Sequence, residues 1–396
     1  MMHSDILRRL SAAVLAAAAF CAASADTIPD GATRVVWHAG ATLSGAYVPQ
    51  TNTFLRGENP GGERVRGVAG VDLRGGFGYG SGTLVGRLYR GVYQGIGLGV
   101  RSYFHPEILG TPGTAYVYQG APIVRFNDRV WIGYEWQFGV AYGWKHAGDN
   151  SAADNSAVST SATALIGLGL RLHYQLTDNW RLSVGLDGTH YSNGNTTYPN
   201  PGVNSVGLSV GLAWIINPEG VSREATPEEI RRADRRRWFY DIMAYGAWRR
   251  RVVRVDDQEQ LCPGRFGVAG LQFSPLLALN RYVAVGPALD LQWDESAGLA
   301  PYHVEGTWDE NIKFRRPPFG KQLSAGVSAH AELTMPIFAV NVGLGCELLN
   351  PKGDKRFYQS LALKTFVTRR FFINVGYRLG NFKDPQNLML GAGVRL

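Results

Sequence analysis

Alternation constrains this chain more than any other feature. Trp180, Leu182, Val184 and Leu186 occupy one face of a segment whose other face carries Arg181, Ser183, Gly185 and Asp187. Val206, Leu208, Val210, Leu212, Trp214 and Ile216 alternate in the same way with Ser205, Gly207, Ser209, Gly211 and Ala213. So do Ile132, Tyr134, Trp136, Phe138, Val140 and Tyr142 against Gly133, Glu135, Gln137, Gly139 and Ala141. Ala164, Ile166, Leu168, Leu170 and Leu172 oppose Gly167, Gly169, Arg171 and His173. Period-two runs of about 10 residues or more, with aromatics near their ends, are what a membrane β-barrel requires. Backbone groups in lipid must pair with one another, so such a sheet closes and turns its apolar face outward. A soluble sandwich also alternates, but it uses shorter strands and buries its apolar face.

Composition agrees. With 50 glycines, 11% aromatic and only 18% charged residues in 396, the chain suits β-structure and not a helical bundle. The segment 1–25 has the parts of a secretory signal peptide: Arg8 and Arg9, the apolar run from Leu10 to Ala19, and Ala23-Ser24-Ala25 as the cleavage site. Phe20 before Cys21 argues against a lipoprotein. The mature chain then keeps only Cys262 and Cys346, expected as free thiols, so pairing and burial must hold the fold. No later segment has the roughly 18 continuous apolar residues of a membrane helix. The formal charge is +8, partly concentrated at Arg231, Arg232, Arg235, Arg236 and Arg237. In an exported chain that basic surface suits anionic lipid headgroups, and no nucleic-acid partner is expected.

The pattern predicts strands near 33–49, 64–80, 93–104, 116–126, 130–144, 160–176, 180–193 and 204–216. Tight turns at Asn127-Asp128 and Thr177-Asp178-Asn179 mark one rim. Long polar stretches at 50–63, 105–115, 145–159 and 194–203 mark the other, as the periplasmic and extracellular ends of an outer-membrane barrel should differ. Thr226-Pro227-Glu228-Glu229 then reads as a capped helix start, predicting a short periplasmic helix over 226–237 inside a linker of 217–237. Strands resume near 238–250, 266–278, 282–293, 321–334, 337–348, 357–368, 370–380 and 387–396. In the first of these Trp238, Tyr240, Ile242, Ala244 and Trp248 face away from Asp241, Met243 and Tyr245. One large barrel or two tandem barrels fit. The single closure is favoured because it leaves no sheet edges, although the linker helix argues for two.

The outward series Trp180, Leu182, Val184, Leu186, Gly188 continues in parity to His190 and Ser192. With pairing centred on the loop 194–203, Ser192 should lie opposite Asn204 and His190 opposite Val206. A histidine, a hydroxyl and an amide would share one lipid-side patch. Rim residues are often polar because they stay wet in the headgroup layer, which is the plain reading. The chemical reading is a nucleophile pair, Ser192 attacking an ester while His190 takes its proton. The two lie roughly 6–7 Å apart by strand rise, so their side chains can converge. Outside the wall at that height stand the ester linkages of outer-leaflet lipid.

Thr189-His190-Tyr191-Ser192-Asn193-Gly194-Asn195, followed by Pro199-Asn200-Pro201-Gly202-Val203-Asn204, resembles the signature of the outer-membrane lipid A 3-O-deacylase (acyloxyacyl hydrolase) family. The eight strands of 26–216 are similar to that family's eight-stranded barrel. His330-Ala331-Glu332 and the closing strands resemble its two-part members. The resemblance implies an outer-membrane serine esterase that removes a 3-O-linked acyl chain from lipid A of lipopolysaccharide without a cofactor, with His190 as general base and Ser192 as nucleophile. Asn193 and Asn200 become candidates for positioning or oxyanion stabilisation. In one respect the chain departs from the pattern: Asn204 stands where the family has an acidic residue. An amide can orient an imidazole but cannot stabilise imidazolium by charge.

His173, Arg171, Glu135 and Asp187 fall on the inward face, where a salt-bridge network is expected. The glycine run Gly78-x-Gly80-x-Gly82 lacks the βαβ context of a dinucleotide site, and no His/Cys/Asp cluster has metal spacing. The rival function is a channel or structural barrel that keeps the hairpin without catalysis. A homodimer is left open.

Overall fold

The computed structural model describes residues 35–146, 156–194, 196–197, 201–218, 224–255, 258–307, 311–350, 356–382 and 384–396. The segment 1–25, expected to be a signal peptide, lies outside them, as does Asn200. The first eight strands are β1 (Val35–Tyr47), β2 (Gly67–Tyr79), β3 (Tyr93–Ser102), β4 (Gly110–Arg125), β5 (Val130–Trp144), β6 (Ala162–Gln175), β7 (Trp180–Ser192) and β8 (Val203–Ile215). Each pairs antiparallel with the next, and β8 returns to β1 from Tyr47↔Val206 to His38↔Ile215, closing a barrel.

The second half repeats the architecture. β9 (Arg237–Arg249), β12 (Phe266–Ala278), β13 (Val283–Asp294), β14 (Leu323–Thr334), β15 (Phe338–Leu349), β16 (Phe357–Phe366), β17 (Phe371–Gly380) and β18 (Asp384–Arg395) close a second barrel through β18 and β9. The hairpin of β10 (Val252–Val255) and β11 (Gln258–Leu261) extends between β9 and β12. All sixteen predicted barrel strands are present, but they form two small barrels, which corrects the preference for a single large one. The physical reason lies in the lumens. An eight-stranded barrel is just wide enough for its interior to be filled by side chains, and each half supplies its own ionic filling.

In the first barrel Arg74 bonds Glu135 at 2.7 Å, and Arg171 lies 2.9 Å from Glu135 and 3.1 Å from Asp187. In the second, Lys364 bonds Asp241 at 2.7 Å and Glu332 at 2.6 Å, and Arg395 joins both carboxylates at 2.8 and 2.6 Å. His330 belongs to this second lumen, between Ser328 Oγ at 2.8 Å and Asn341 Oδ1 at 2.6 Å. Buried charges are retained where they are paired, and Arg74–Glu135 and Lys364–Asp241 join non-neighbouring strands that only a narrow barrel brings face to face.

The outer surfaces are apolar. Leu168 is 64% exposed and Leu208 62%, while Asp241, Met243 and Tyr245 of β9 are buried and Trp238 and Trp248 exposed. In water such a surface would be an aggregation site, whereas in lipid it is solvated.

Among the short helices outside the barrels, two bear on the reading of the sequence. α1 (Leu84–Leu88) joins β2 to β3, with Thr83 Oγ1 accepting from Gly86 N. No helix was expected there, since five residues carry too little periodicity to register. α2 covers Pro227–Ala233, within the predicted 226–237. Its capping box forms as Thr226 N–H donates to Glu229 Oε2 at 2.9 Å and Glu229 N–H to Thr226 Oγ1 at 3.2 Å. Arg87 adds an ion pair to Glu229 at 2.5 Å. Cys262 and Cys346 are free thiols.

A lipid-facing wall makes a quantitative demand. Leu168→Arg, midway along β6, is expected to cost about 2–4 kcal/mol of stability in urea titrations of vesicle-refolded protein; an unchanged midpoint would contradict an outward face in lipid. The capping contacts of Glu229 set a pH window. Arg87, then the Thr226 backbone N–H, hold its carboxyl down at about 2 from an ordinary 4.5. A depressed carboxyl pKa contributes stability above the unfolded value that is lost as pH falls from about 4.5 towards 2. Proteolysis of the linker is therefore expected to rise across that window in wild type and to be flat there in Glu229→Gln.

Candidate functional site

β7 and β8 carry the candidate residues, and their register is set by their outward side chains. Trp180 pairs with Trp214, Leu182 with Leu212, Val184 with Val210 and Leu186 with Leu208. Matching apolar partners and opposed tryptophans at one level is the favourable cross-strand arrangement. It places His190 directly opposite Asn204 and Tyr191 opposite Val203. The expected pairing of Ser192 with Asn204 and His190 with Val206 is therefore corrected by two residues. Centring the pairs on the loop was the wrong criterion, because the apolar cross-strand pairs and not the loop's midpoint go with the register. A shift of two keeps every side chain on its own face, so His190, Ser192 and Asn204 stay outward.

All three are half-buried, between the exposed Leu186 and Val206 on one side and the rim loops on the other. His190 Nδ1–H donates to Asn204 Oδ1 at 2.7 Å. With the proton held on Nδ1, the Nε2 lone pair is left for a proton from elsewhere, which is the tautomer a general base requires.

Gly202 brings the rest of the patch together. Its φ is +74°, and a β-carbon there would lie 2.5 Å from Tyr191 O, 3.0 Å from His190 Cε1 and 3.4 Å from Ser192 Cβ. The imidazole edge and the serine methylene thus converge on a position that only glycine fills. Gly202 N–H donates to Ala157 O at 3.1 Å, and Gly202 O accepts from Asn52 Nδ2 at 3.3 Å. Asn52 is itself braced, its Oδ1 accepting from Leu55 N at 2.9 Å. Neither Gly202 nor Asn52 was singled out from sequence. Pro201-Gly202 is a turn signal, but nothing local says that the turn packs against an imidazole.

Asn193 is placed differently from the other candidates. It is 6% exposed and donates from Nδ2 to Ser159 Oγ at 2.9 Å, tying the end of β7 to the loop before β6. Asn200 lies outside the described residues. The inward His173, Arg171, Glu135 and Asp187 share the lumen network and take no part in the outer patch. Among the described residues no group of three or more metal-ligating side chains forms.

The close fit at Gly202 is testable. Gly202→Ala is expected to cost about 1–3 kcal/mol from its left-handed backbone alone and to move the His190 imidazole resonances. Those of His173 in the lumen should stay in place, and coincident His190 signals in both proteins would show that the glycine does not shape the patch.

The family described as Lipid A 3-O-deacylase (PagL) matches residues 77–213, and the family described as Acyloxyacyl hydrolase, C-terminal domain, matches 238–396. A comparison with curated proteins finds no match. Similar solved structures include CdiB from Acinetobacter baumannii at 9% identity, covering 91% of this chain and 60% of that one with a TM-score of 0.18. The NanC porin has 6% identity, with 90% and 98% covered and a TM-score of 0.17. The translocator domain of the autotransporter NalP from Neisseria meningitidis has 12% identity, with 99% and 95% covered and a TM-score of 0.17. One family match falls in each barrel, both barrels turn apolar walls outward, and the chain belongs to the outer-membrane lipid A 3-O-deacylase (acyloxyacyl hydrolase) family.

Proposed function

We propose that the chain is a serine esterase that hydrolyses the 3-O-linked acyl ester of lipid A at the outer leaflet, with the barrel of 26–216 carrying the site and 238–396 forming a second membrane barrel. Ser192 Oγ attacks the ester carbonyl while His190 Nε2 takes its proton. Collapse of the tetrahedral intermediate breaks the bond to the lipid A 3-oxygen, which leaves with the proton from His190. Water, activated by the same imidazole, then releases the fatty acid and restores Ser192. Asn204 acts as a positioning residue, holding the ring and its tautomer through the Nδ1–Oδ1 bond. Asn193, which donates to Ser159 Oγ, and Asn200 are the candidates for positioning or oxyanion stabilisation.

The observation that carries this reading is the 2.7 Å His190–Asn204 bond, made on the lipid-facing wall two residues from a serine. The substrate is a lipid because the patch looks outward, and family membership supplies lipid A as its class. The channel alternative needs an open polar lumen. Against it, the interior of each barrel is crossed by ion pairs such as Arg74–Glu135 and Lys364–Glu332. The homodimer finds no support in the single chain.

An amide in place of a carboxylate has a rate consequence. In an archetypal serine triad the acid-to-amide change lowers kcat about 10⁴-fold, chiefly through the wrong tautomer. Here Asn204 accepts from Nδ1–H, so the tautomer is correct and only the charge is missing. Mass spectrometry of lipid A from cells expressing the chain should show loss of one 3-linked acyl group, abolished in Ser192→Ala and His190→Ala. Unchanged lipid A with wild type, or continued deacylation by Ser192→Ala, would sink the proposal. Asn204→Glu should raise the rate, and no gain would count against Asn204 in the orienting position.

A further inference from the structure

The tight-turn half of the first lumen contains more positive charge than its protein partners neutralise. A cavity of about 50 Å³ there is lined by Arg74, Arg171, Arg181, Glu135, His38 and His173. Glu135 is fully engaged: Oε2 accepts from Arg74 at 2.7 Å and Tyr93 at 3.0 Å, and Oε1 faces Arg171 at 2.9 Å and Gln137 at 3.2 Å. Arg171 also uses Asp187. The third guanidinium, Arg181, meets no carboxylate among the described residues. Its polar contact is Nε–H to Gln175 Oε1 at 3.0 Å, and it lies 4.9 Å from the centre of the Trp131 ring. Arg125 lies 4.9 Å from the same ring, adding a further cation at that end.

A ring quadrupole attracts a cation, but it does not cancel charge. Three guanidiniums against Glu135 and Asp187 therefore leave one positive charge facing the cavity, with Arg125 a second close by. Arg74 Nε–H is a buried donor with no acceptor among the described residues. His173 supplies the complementary clue. Tyr93 O–H donates to Glu135, so its oxygen accepts from His173 Nε2–H at 3.3 Å. The Nδ1 of His173, 5% exposed, is left as a lone pair without a donor. Unspent donors beside an unspent acceptor, with surplus positive charge, describe a site for a hydrated anion.

We propose that this cavity binds one small monovalent inorganic anion of the chloride class, held by Arg181 and Arg74 Nε–H, with a water bridging to His173 Nδ1. At roughly 10–15 Å³ per water-sized sphere, the space takes an ion of that size with one or two waters. The site lies inside the barrel and is independent of the outer patch.

Thermal unfolding of the purified full chain in a zwitterionic detergent, at pH 7.5 and constant ionic strength, tests this as chloride or bromide replaces gluconate. The midpoint should rise by several degrees and saturate in wild type. Arg181→Lys should keep the rise at a higher half-saturating concentration, and Arg181→Gln should lose it. In gluconate alone Arg181→Gln should melt no lower than wild type, because the surplus charge is gone; a merely structural arginine would lower it. Crystals grown in bromide should show one anomalous peak between Arg74 and Arg181. A midpoint insensitive to halide, an equal rise in Arg181→Gln, or a rise with phosphate but not with halide would each overturn the assignment.

Discussion

Closure of eight strands on themselves is the constraint from which the other features of this protein follow. In hydrocarbon an unpaired backbone N–H or C=O costs several kcal/mol. A sheet edge of ten residues, the span over which β1 meets β8, therefore cannot be left open. Closing at eight strands rather than sixteen also sets the lumen width. Opposite walls come near enough for Arg74 of β2 to reach Glu135 of β5, and for Lys364 of β16 to reach Asp241 of β9. Each interior is then a packed ionic core and not a pore, and any chemistry the wall performs on a lipid belongs to its outside.

The outer patch inherits its geometry from that wall. The apolar ladder from Trp180↔Trp214 upward sets the register of β7 and β8, and this register puts the imidazole of His190 across from the amide of Asn204. The rim loops contribute the third dimension: Asn52 from the β1–β2 connection and Ala157 from the β5–β6 connection pin Gly202 against the imidazole edge. Stable strands thus place the imidazole, while loop contacts shape the space around it. A site of this kind depends on rigid elements for its orientation.

Much was legible before any coordinates. Period-two alternation identified every barrel strand because a wall with lipid on one side and packed polar groups on the other writes that period into the sequence. The faces of His190 and Ser192 followed from parity alone. Pairing was not legible to the residue: a two-residue slip leaves all faces unchanged, so alternation is blind to it. The helix Leu84–Leu88 was too short to leave a pattern. Gly202 looked like an ordinary turn glycine, since its neighbours at the site come from distant chain segments.

The sequence by itself therefore determined which segments cross the membrane, which side chains face lipid, and that a histidine and a serine share that face with an asparagine. Only the tertiary structure decided that the strands divide eight and eight, that His190 meets Asn204, and that cations outnumber carboxylates around the cavity of the first lumen. The physical reason is one of range. Alternation is a local property, repeated every two residues, whereas closure, cross-strand register and charge balance depend on residues from different strands meeting across the barrel.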